Sequence, residues 1–463
     1  MKILLIVPDN GSYISTFPVG IGYIAAVLRN EGHEITIYNK DVYHYSADDL
    51  TKYLDEHKFD IVGSGTCGGY RQYREMKSIA AAVHKSKNKT VFIVGGHLVT
   101  PEPQYFVDLL KADFVVLGEG EETMKELCHV LEKDGDVKNV KGIAFYDCDG
   151  SFINTGRRDL IADIDALPYP AWDLFPMDHY TLIRMPNVKD DERVMVMYSG
   201  RGCLFHCNFC YRMDKGLRIR SADNIIDEMR ELKEKYKVSY ISFFDELLVS
   251  SVSRVKEFCQ KLIDAKLDMH WDCNGRLNFA QKDMLELMKE AGCVFINYGI
   301  ESMDEQALKN MNKNLTVKQI IEGIENTLAA GISPGYNIIW GNIGEDEHSL
   351  QLGVDFLLKY DDHSQRRTIR PVTPYPGCPL YYNAIEKGLL KDVKDFYENK
   401  HTNSDLLTCN FTSLSDDEFY AALLKANEAL LSNYYDDQKK KIIEIEHDLY
   451  ENRNAEFRGF RTT

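Results

Sequence analysis

Ser199-Gly200-Arg201-Gly202-Cys203-Leu204-Phe205-His206-Cys207-Asn208-Phe209-Cys210-Tyr211-Arg212 places three cysteines in a C-x3-C-x2-C array. Three thiolates on one short loop hold three corners of a [4Fe-4S] cluster and leave the fourth iron free to bind a small molecule. A zinc knuckle is the competing reading, but zinc takes a fourth ligand and favours C-x2-C pairs. His206 lies inside the loop, where ligation would strain it. The apolar run Val194 to Tyr198 just before the loop reads as a buried strand. The cysteines therefore stand at a strand's carboxyl end, where barrel enzymes keep their chemistry.

Downstream, apolar strands alternate with amphipathic helices. Strands are expected at Tyr240 to Phe244, Met269 to Cys273, Val294 to Gly299, Pro334 to Trp340 and Thr368 to Val372. Helices are expected at Ala222 to Lys235, Val252 to Lys266, Gln281 to Ala291, Val317 to Ala330 and Ser349 to Tyr360. Counting Val194 to Tyr198, six strands and five helices make a partial (β/α)6 barrel, too few for a full TIM barrel. The successive strand ends carry Asp245 and Glu246, Asn274 and Arg276, Glu301 and Ser302, then Gly341 and Gly344. Each alone suits a helix cap or a surface; their recurrence at successive strand ends points to one ligand.

Upstream, residues 1 to about 135 alternate in the same way, with strands apolar throughout rather than at every second position. That pattern belongs to a doubly wound, Rossmann-like parallel sheet covered on both faces. Its strand ends are rich in glycine: Gly63-Ser64-Gly65-Thr66, Gly95-Gly96 and Gly118-Glu119-Gly120-Glu121. Ligands of open α/β sheets bind there, and glycine lets them approach the backbone. Gly20-Ile21-Gly22 comes too late after the first strand and lacks a third glycine, so NAD is disfavoured. His97, His44 and Cys67 read as ordinary polar or buried residues.

The domains are expected at residues 1–138, a linker with a hairpin at 139–192, the barrel at 193–382 and a helical C-terminal extension at 383–463. The linker holds a hairpin from Gly142 to Ile153, and the prolines of Leu167-Pro168-Tyr169-Pro170 fix an extended connector. Helices are expected at Glu418 to Asn433 and Asp437 to Glu451, with the last dozen residues as a mobile tail. Phe419, Tyr420, Tyr434 and Tyr435 are candidate substrate contacts, with packing the plainer role for each.

The formal charge of −17 disfavours nucleic acid as a substrate. The 11 cysteines are an odd, scattered set, which argues against a disulfide framework and suits a thiolate–metal role for a subset; with no export signal, a reducing cytoplasm is expected. No run resembles a membrane span.

The cysteine array, with Phe209 before its third cysteine, resembles the radical S-adenosylmethionine (SAM) superfamily. The resemblance implies a cluster on Cys203, Cys207 and Cys210 whose open iron chelates SAM and reduces it to a 5′-deoxyadenosyl radical. It also assigns SAM contacts to Phe209, Asp245, Glu246, Asn274, Arg276, Glu301, Ser302, Gly341 and Gly344. Ile343 stands where that family usually has proline, in the turn near the adenine.

The first 135 residues resemble the cobalamin-binding domain of one subgroup of that superfamily. This implies cobalamin contacts at Pro18, Gly20, Ser64, Gly65, Thr66, Gly95, Gly96, Gly118, Glu119 and Gly120. No D-x-H-x-x-G string occurs there, so the cobalt would lack a histidine from that motif. Pro374-Tyr375-Pro376-Gly377-Cys378-Pro379-Leu380 resembles a loop of the same subgroup, with Cys378 in place of threonine.

The expected function is a cobalamin-dependent radical SAM methyltransferase. It would move methyl from methylcobalamin to an unactivated carbon or phosphorus of a small molecule or peptide. A flavodoxin or ferredoxin would be the electron donor. Cyclisation, ring contraction or dehydrogenation is the alternative within the scaffold, and a non-catalytic cobalamin or metal carrier the alternative outside it.

Overall fold

The computed structural model describes residues 1–11, 15–183, 187–213 and 215–456. Its first sheet has seven strands: β1 (Lys2–Val7), β2 (Glu34–Asn39), β3 (Ile61–Gly65), β4 (Val91–Gly95), β5 (Phe114–Val116), β6 (Ile143–Tyr146) and β7 (Phe152–Asn154), in the order β2-β1-β3-β4-β5-β6-β7. The first five are parallel, with Ile3 opposite Ile61 and Ile61 opposite Val91. Strands β1, β3 and β4 are almost wholly buried, because helices cover both faces, and their apolar runs do not alternate for that reason. The strand order reverses at β1, so the crevice between β1 and β3 opens at the carboxyl ends.

The hairpin expected in the linker exists as β6 and β7, and it does not stand apart. β6 pairs antiparallel with β5, Val115 opposite Ala144, and extends the first sheet. The β5 edge was open after the parallel crossovers, and a hairpin needs no further crossover to cover it.

The second sheet is parallel and open: β8 (Val194–Met197), β11 (Tyr240–Phe243), β12 (His270–Gly275), β13 (Cys293–Glu301), β14 (Ser333–Trp340) and β15 (Arg370–Pro371). The six-stranded partial barrel stands as the alternation indicated. Between β8 and β11 lies an antiparallel ribbon, β9 (Gly200–Cys203) with β10 (Gly216–Ile219), Arg201 opposite Arg218. It enters and leaves the cysteine loop; its strands are short, glycine-rich and half-polar, and they give no period to read.

Two C-terminal helices were expected, whereas one helix runs from Asp416 to Glu451. Ser415 and Glu418 form a capping box at its start, and no glycine or proline interrupts residues 434–436. Phe419 stacks on Trp340 at 4.2 Å, fastening the start of the helix at the carboxyl end of β14. Of the expected tail, residues 452–456 follow this helix and 457–463 lie outside the described residues. Among the described residues no helix is long and apolar enough to cross a membrane.

Candidate functional site

A cavity of about 890 Å³ is walled by both sheets. Its first wall is the carboxyl edge of the N-terminal sheet. Pro18, Gly20, Ser64, Gly65, Thr66, Gly95, Gly96, Gly118, Glu119 and Gly120, distant in sequence, all line it. At Gly20 and Gly118 an added Cβ would meet no protein atom within 4 Å, so both face open space. Gly96 is constrained differently: its φ is +92° and a Cβ would lie 2.5 Å from the Thr66 carbonyl. This wall is a cradle that combines glycine backbone with apolar side chains such as Leu5, Val7, Ile24 and Val116, and leaves room for a large ligand.

The opposite wall comes from the barrel: Tyr198, Arg201, Phe209, Cys210, Tyr211, Phe244 and Glu246. Tyr375, Pro376 and Tyr397 close the side. Phe419, Tyr420, Tyr434 and Tyr435 are absent from the lining. Phe419 is packed on Trp340, and the Tyr420 hydroxyl accepts the Leu407 amide at 2.9 Å. The aromatic contacts from the chain beyond the last barrel strand come instead from Tyr375 and Tyr397, for which sequence reading proposed no site role. His97, read as an ordinary strand-end residue, faces the cavity with its ring edge toward Tyr211, and burial lowers its pKa.

The cysteine loop is fastened from three directions. The Asn208 amide N–H donates to the Met311 carbonyl at 2.9 Å, and Leu380 donates to the Asn208 carbonyl at 2.8 Å. Asn208 and Asn342 exchange side-chain hydrogen bonds at 3.1 and 3.0 Å, and Asn312 donates to the His206 carbonyl at 2.8 Å. Cys203, Cys207 and Cys210 are unpaired thiols. Burial, then the neighbouring cysteines, push the Cys210 thiol up to about 12; burial raises Cys207 against the pull of Lys313 and Arg276.

The raised Cys207 and Cys210 thiols ionise more readily where cations compensate them, and an iron–sulfur core does so. Among the described residues no three His, Cys, Asp or Glu side chains converge tightly enough for one metal ion. A cube of iron and sulfur instead takes its ligands at separate corners.

Around this loop the expected SAM residues divide. Glu246 and Phe209 line the cavity. Glu246 also accepts the Gly202 amide at 3.1 Å. Asp245 is turned away: it is buried and accepts from the Ser199 amide at 2.9 Å and from the Ser199 hydroxyl. Asn274 donates to the Asp245 carbonyl at 2.8 Å and begins an amide ladder, Asn337 to Asn297 to Asn274, across three neighbouring strands. Arg276 lies over the Phe205 ring at 3.5 Å and donates to the Lys313 and Asn314 carbonyls, supporting the loop from behind.

Glu301 has φ +70°, unusual for a side chain of that size, and pairs with buried Lys313 at 2.9 Å. Ser302 donates to Glu345 at 3.0 Å, and the Gly341 and Asn342 amides donate to the same carboxylate at 3.0 Å each. Burial pushes Glu345 up to about 7. Gly344 sits beside Asn310, whose side chain donates to the Ile343 carbonyl at 2.9 Å. Cys378 is fully buried, its thiol raised by burial to about 11, and lies outside the cavity lining.

The two walls are joined by charge. Arg201 donates to Glu119 at 2.7 Å and Glu121 at 2.6 Å, and its guanidinium lies 5.1 Å from the Tyr23 ring centroid. Arg218 grips both Glu119 oxygens at 2.8 Å, and Ile161 donates its amide to the same carboxylate at 2.9 Å. Burial raises the Glu119 pKa, and these donors outweigh it, leaving the carboxyl below its usual value. Glu119 thus lines the cradle while its charge is committed to the barrel's ribbon. Arg201 stands two residues before Cys203, a proximity available in the sequence; its partners were not.

Fold and site together define a two-domain enzyme in which a glycine-rich cradle faces a three-thiol loop across one cavity. The chain matches the family model of the B12 binding domain over residues 13–128 and that of the radical SAM superfamily over residues 197–357. It is 30% identical over 403 residues to an uncharacterized methyltransferase of Pyrococcus horikoshii, covering 84% of each chain. It is 25% identical over 431 residues to the cytidylyl-2-hydroxyethylphosphonate methyltransferase of Streptomyces wedmorensis, covering 82% of this chain and 80% of that one. The methyltransferase TsrM of Kitasatospora setae, solved with cobalamin and a [4Fe-4S] cluster, has the same fold: TM-score 0.74 at 16% identity, over 93% of this chain and 88% of that one.

The chain belongs to the cobalamin-dependent radical SAM enzymes. The cofactors of that class are a [4Fe-4S] cluster, SAM and cobalamin.

Proposed function

We propose that the protein methylates an unactivated carbon or phosphorus of a small molecule or peptide held between its two sheets. The observation that carries this reading is the single cavity, walled on one side by the glycine cradle and on the other by the cysteine loop. Cobalamin supplies a methyl carrier and the cluster with SAM supplies a hydrogen-abstracting radical; the protein's own part is to hold both against one substrate.

In this reading Cys203, Cys207 and Cys210 hold the cluster. Glu246 offers the SAM ammonium a carboxylate at the cavity wall, and Phe209 packs beside it. The Glu301–Lys313 pair, Ser302 and the Gly341–Gly344 turn lie outside the cavity lining and shape the SAM site from behind it. Asp245, Asn274 and Arg276 act through their neighbours, by fixing Ser199, the amide ladder and Phe205. The ten residues of the cradle hold cobalamin chiefly through backbone and close packing. Tyr198, Tyr211, Tyr375 and Tyr397 keep water from the space between, which a radical intermediate requires. A reduced flavodoxin or ferredoxin of the cytoplasm would deliver the electron.

The test is anaerobic turnover of the iron-, cobalamin- and SAM-loaded protein, with S-adenosylhomocysteine and 5′-deoxyadenosine quantified together over a substrate panel. Methyl transfer predicts both products. Deoxyadenosine without S-adenosylhomocysteine would overturn it in favour of cyclisation, ring contraction or dehydrogenation.

A further inference from the structure

The C-terminal helix outruns the body it packs on. Its buried residues are Phe419, Leu423, Ala426 and Leu430, all in its first half. The last ties to the body are Asn433, which donates to Asp361 at 2.9 Å, Tyr435, whose hydroxyl accepts from Arg366 at 3.5 Å, and Gln438, which donates to the His363 carbonyl at 3.4 Å. From there to Glu451 the helix projects for about 20 Å at 1.5 Å per residue.

This projection is not the uniformly polar surface that a solvated helix would carry. Tyr435, Gln438, Ile442, Ile445 and Leu449 recur at spacings of three and four, the seam of a two-stranded coiled coil. Ile442 is 44% exposed, and none of Ile442, Ile445 or Leu449 joins the hydrophobic clusters of the described residues.

We propose that this helix pairs with the same helix of a second copy of the chain, antiparallel, about a two-fold axis between Ile442 and Ile445. The charge pattern selects that occupant. In an antiparallel pair centred there, Ile442 meets the partner's Ile445, and Gln438 exchanges its 3.4 Å bond to the His363 carbonyl for packing on the partner's Leu449. Along one flank Lys439 meets the partner's Glu446; along the other Lys441 meets the partner's Asp448. The two-fold repeats each contact, so every flanking pair joins opposite charges. Within the chain Lys439 and Glu446 have no ion partner among the described residues. The seam alone would favour any apolar surface. The basic run Lys439–Lys441 followed by Glu444, Glu446 and Asp448 is complementary to its own reversed copy. In this arrangement the two bodies stand at opposite ends of the paired segment.

The mass of the full-length protein in solution, measured by light scattering across a concentration series, tests this. A mass of twice 53.2 kDa is expected. Lys439→Glu/Lys441→Glu should weaken dimerisation at least about tenfold by turning every flanking pair repulsive. Adding Glu446→Lys/Asp448→Lys to that chain should restore it, which a folding defect would not. For orientation, a Gln438→Cys chain mixed with a Leu449→Cys chain should form a disulfide dimer more readily than either alone. A wild-type monomer, a four-site variant that stays monomeric, or Leu449→Cys chains that cross-link chiefly to themselves would each overturn the proposal.

Discussion

Arg201→Met is the most informative single perturbation, because one guanidinium holds two carboxylates and lies near one ring. The side chains of Glu119 and Glu121 are each 6% exposed, so both would stay buried after the substitution. Glu119 keeps Arg218 and the Ile161 amide; Glu121 loses its ion partner. Removing one member of a buried pair costs about 3–5 kcal/mol, mostly from the charge left behind. The cation–π contact with Tyr23 adds about 1 kcal/mol, and the arginine Glu119 retains offsets part of the loss. The expected cost is about 3–4 kcal/mol.

Urea unfolding of wild type and variant at neutral pH, followed by far-ultraviolet circular dichroism, measures it. Adding Glu121→Gln to Arg201→Met should recover about 1–2 kcal/mol by removing the uncompensated charge. Glu119, whose folded pKa is depressed, contributes stability above its unfolded pKa and loses it as pH falls through the folded value. The gap between wild type and Arg201→Met should therefore narrow below about pH 4.5. A cost under about 1 kcal/mol, or no recovery with Glu121→Gln, would refute the view that charge joins the two walls.

Three further outcomes are expected. Changing Cys203, Cys207 and Cys210 together to Ala should abolish iron incorporation and leave cobalamin binding intact; colorimetric iron and the corrin absorbance check both. Gly96→Ala, at φ +92° with its Cβ 2.5 Å from the Thr66 carbonyl, should cost about 1–3 kcal/mol and weaken cobalamin retention on gel filtration. Asp272 is buried, accepts from Tyr240 at 2.8 Å and Ser242 at 2.6 Å, and burial pushes its carboxyl up to about 6. A raised folded pKa gives stability that is complete below about pH 4 and is lost as pH rises through 6, about 2–3 kcal/mol in all. Asp272→Asn should flatten that part of the stability curve, and an unchanged slope would sink the assignment.

The sequence by itself determined the elements and the chemistry that neighbouring residues carry. C-x3-C-x2-C puts all three ligands within eight residues of chain, so no tertiary information is needed to see them. The uninterrupted apolar runs of β1, β3 and β4 and the helices between them encode a two-faced parallel sheet, because burial on both faces leaves no polar period. The glycines at the strand ends were legible for the same local reason.

Only the tertiary structure decided what those ends face. That Gly96 and Cys210 share a cavity, that Tyr397 reaches it while Tyr420 does not, and that Asp245 serves Ser199 while Glu246 points inward depend on how two sheets sit against each other. Glu119 and Arg218 stand 99 residues apart, and nothing periodic links them. Periodicity records which side of an element is dry. The identity of the partner is fixed only when the chain closes on itself, where a buried carboxylate must find a cation.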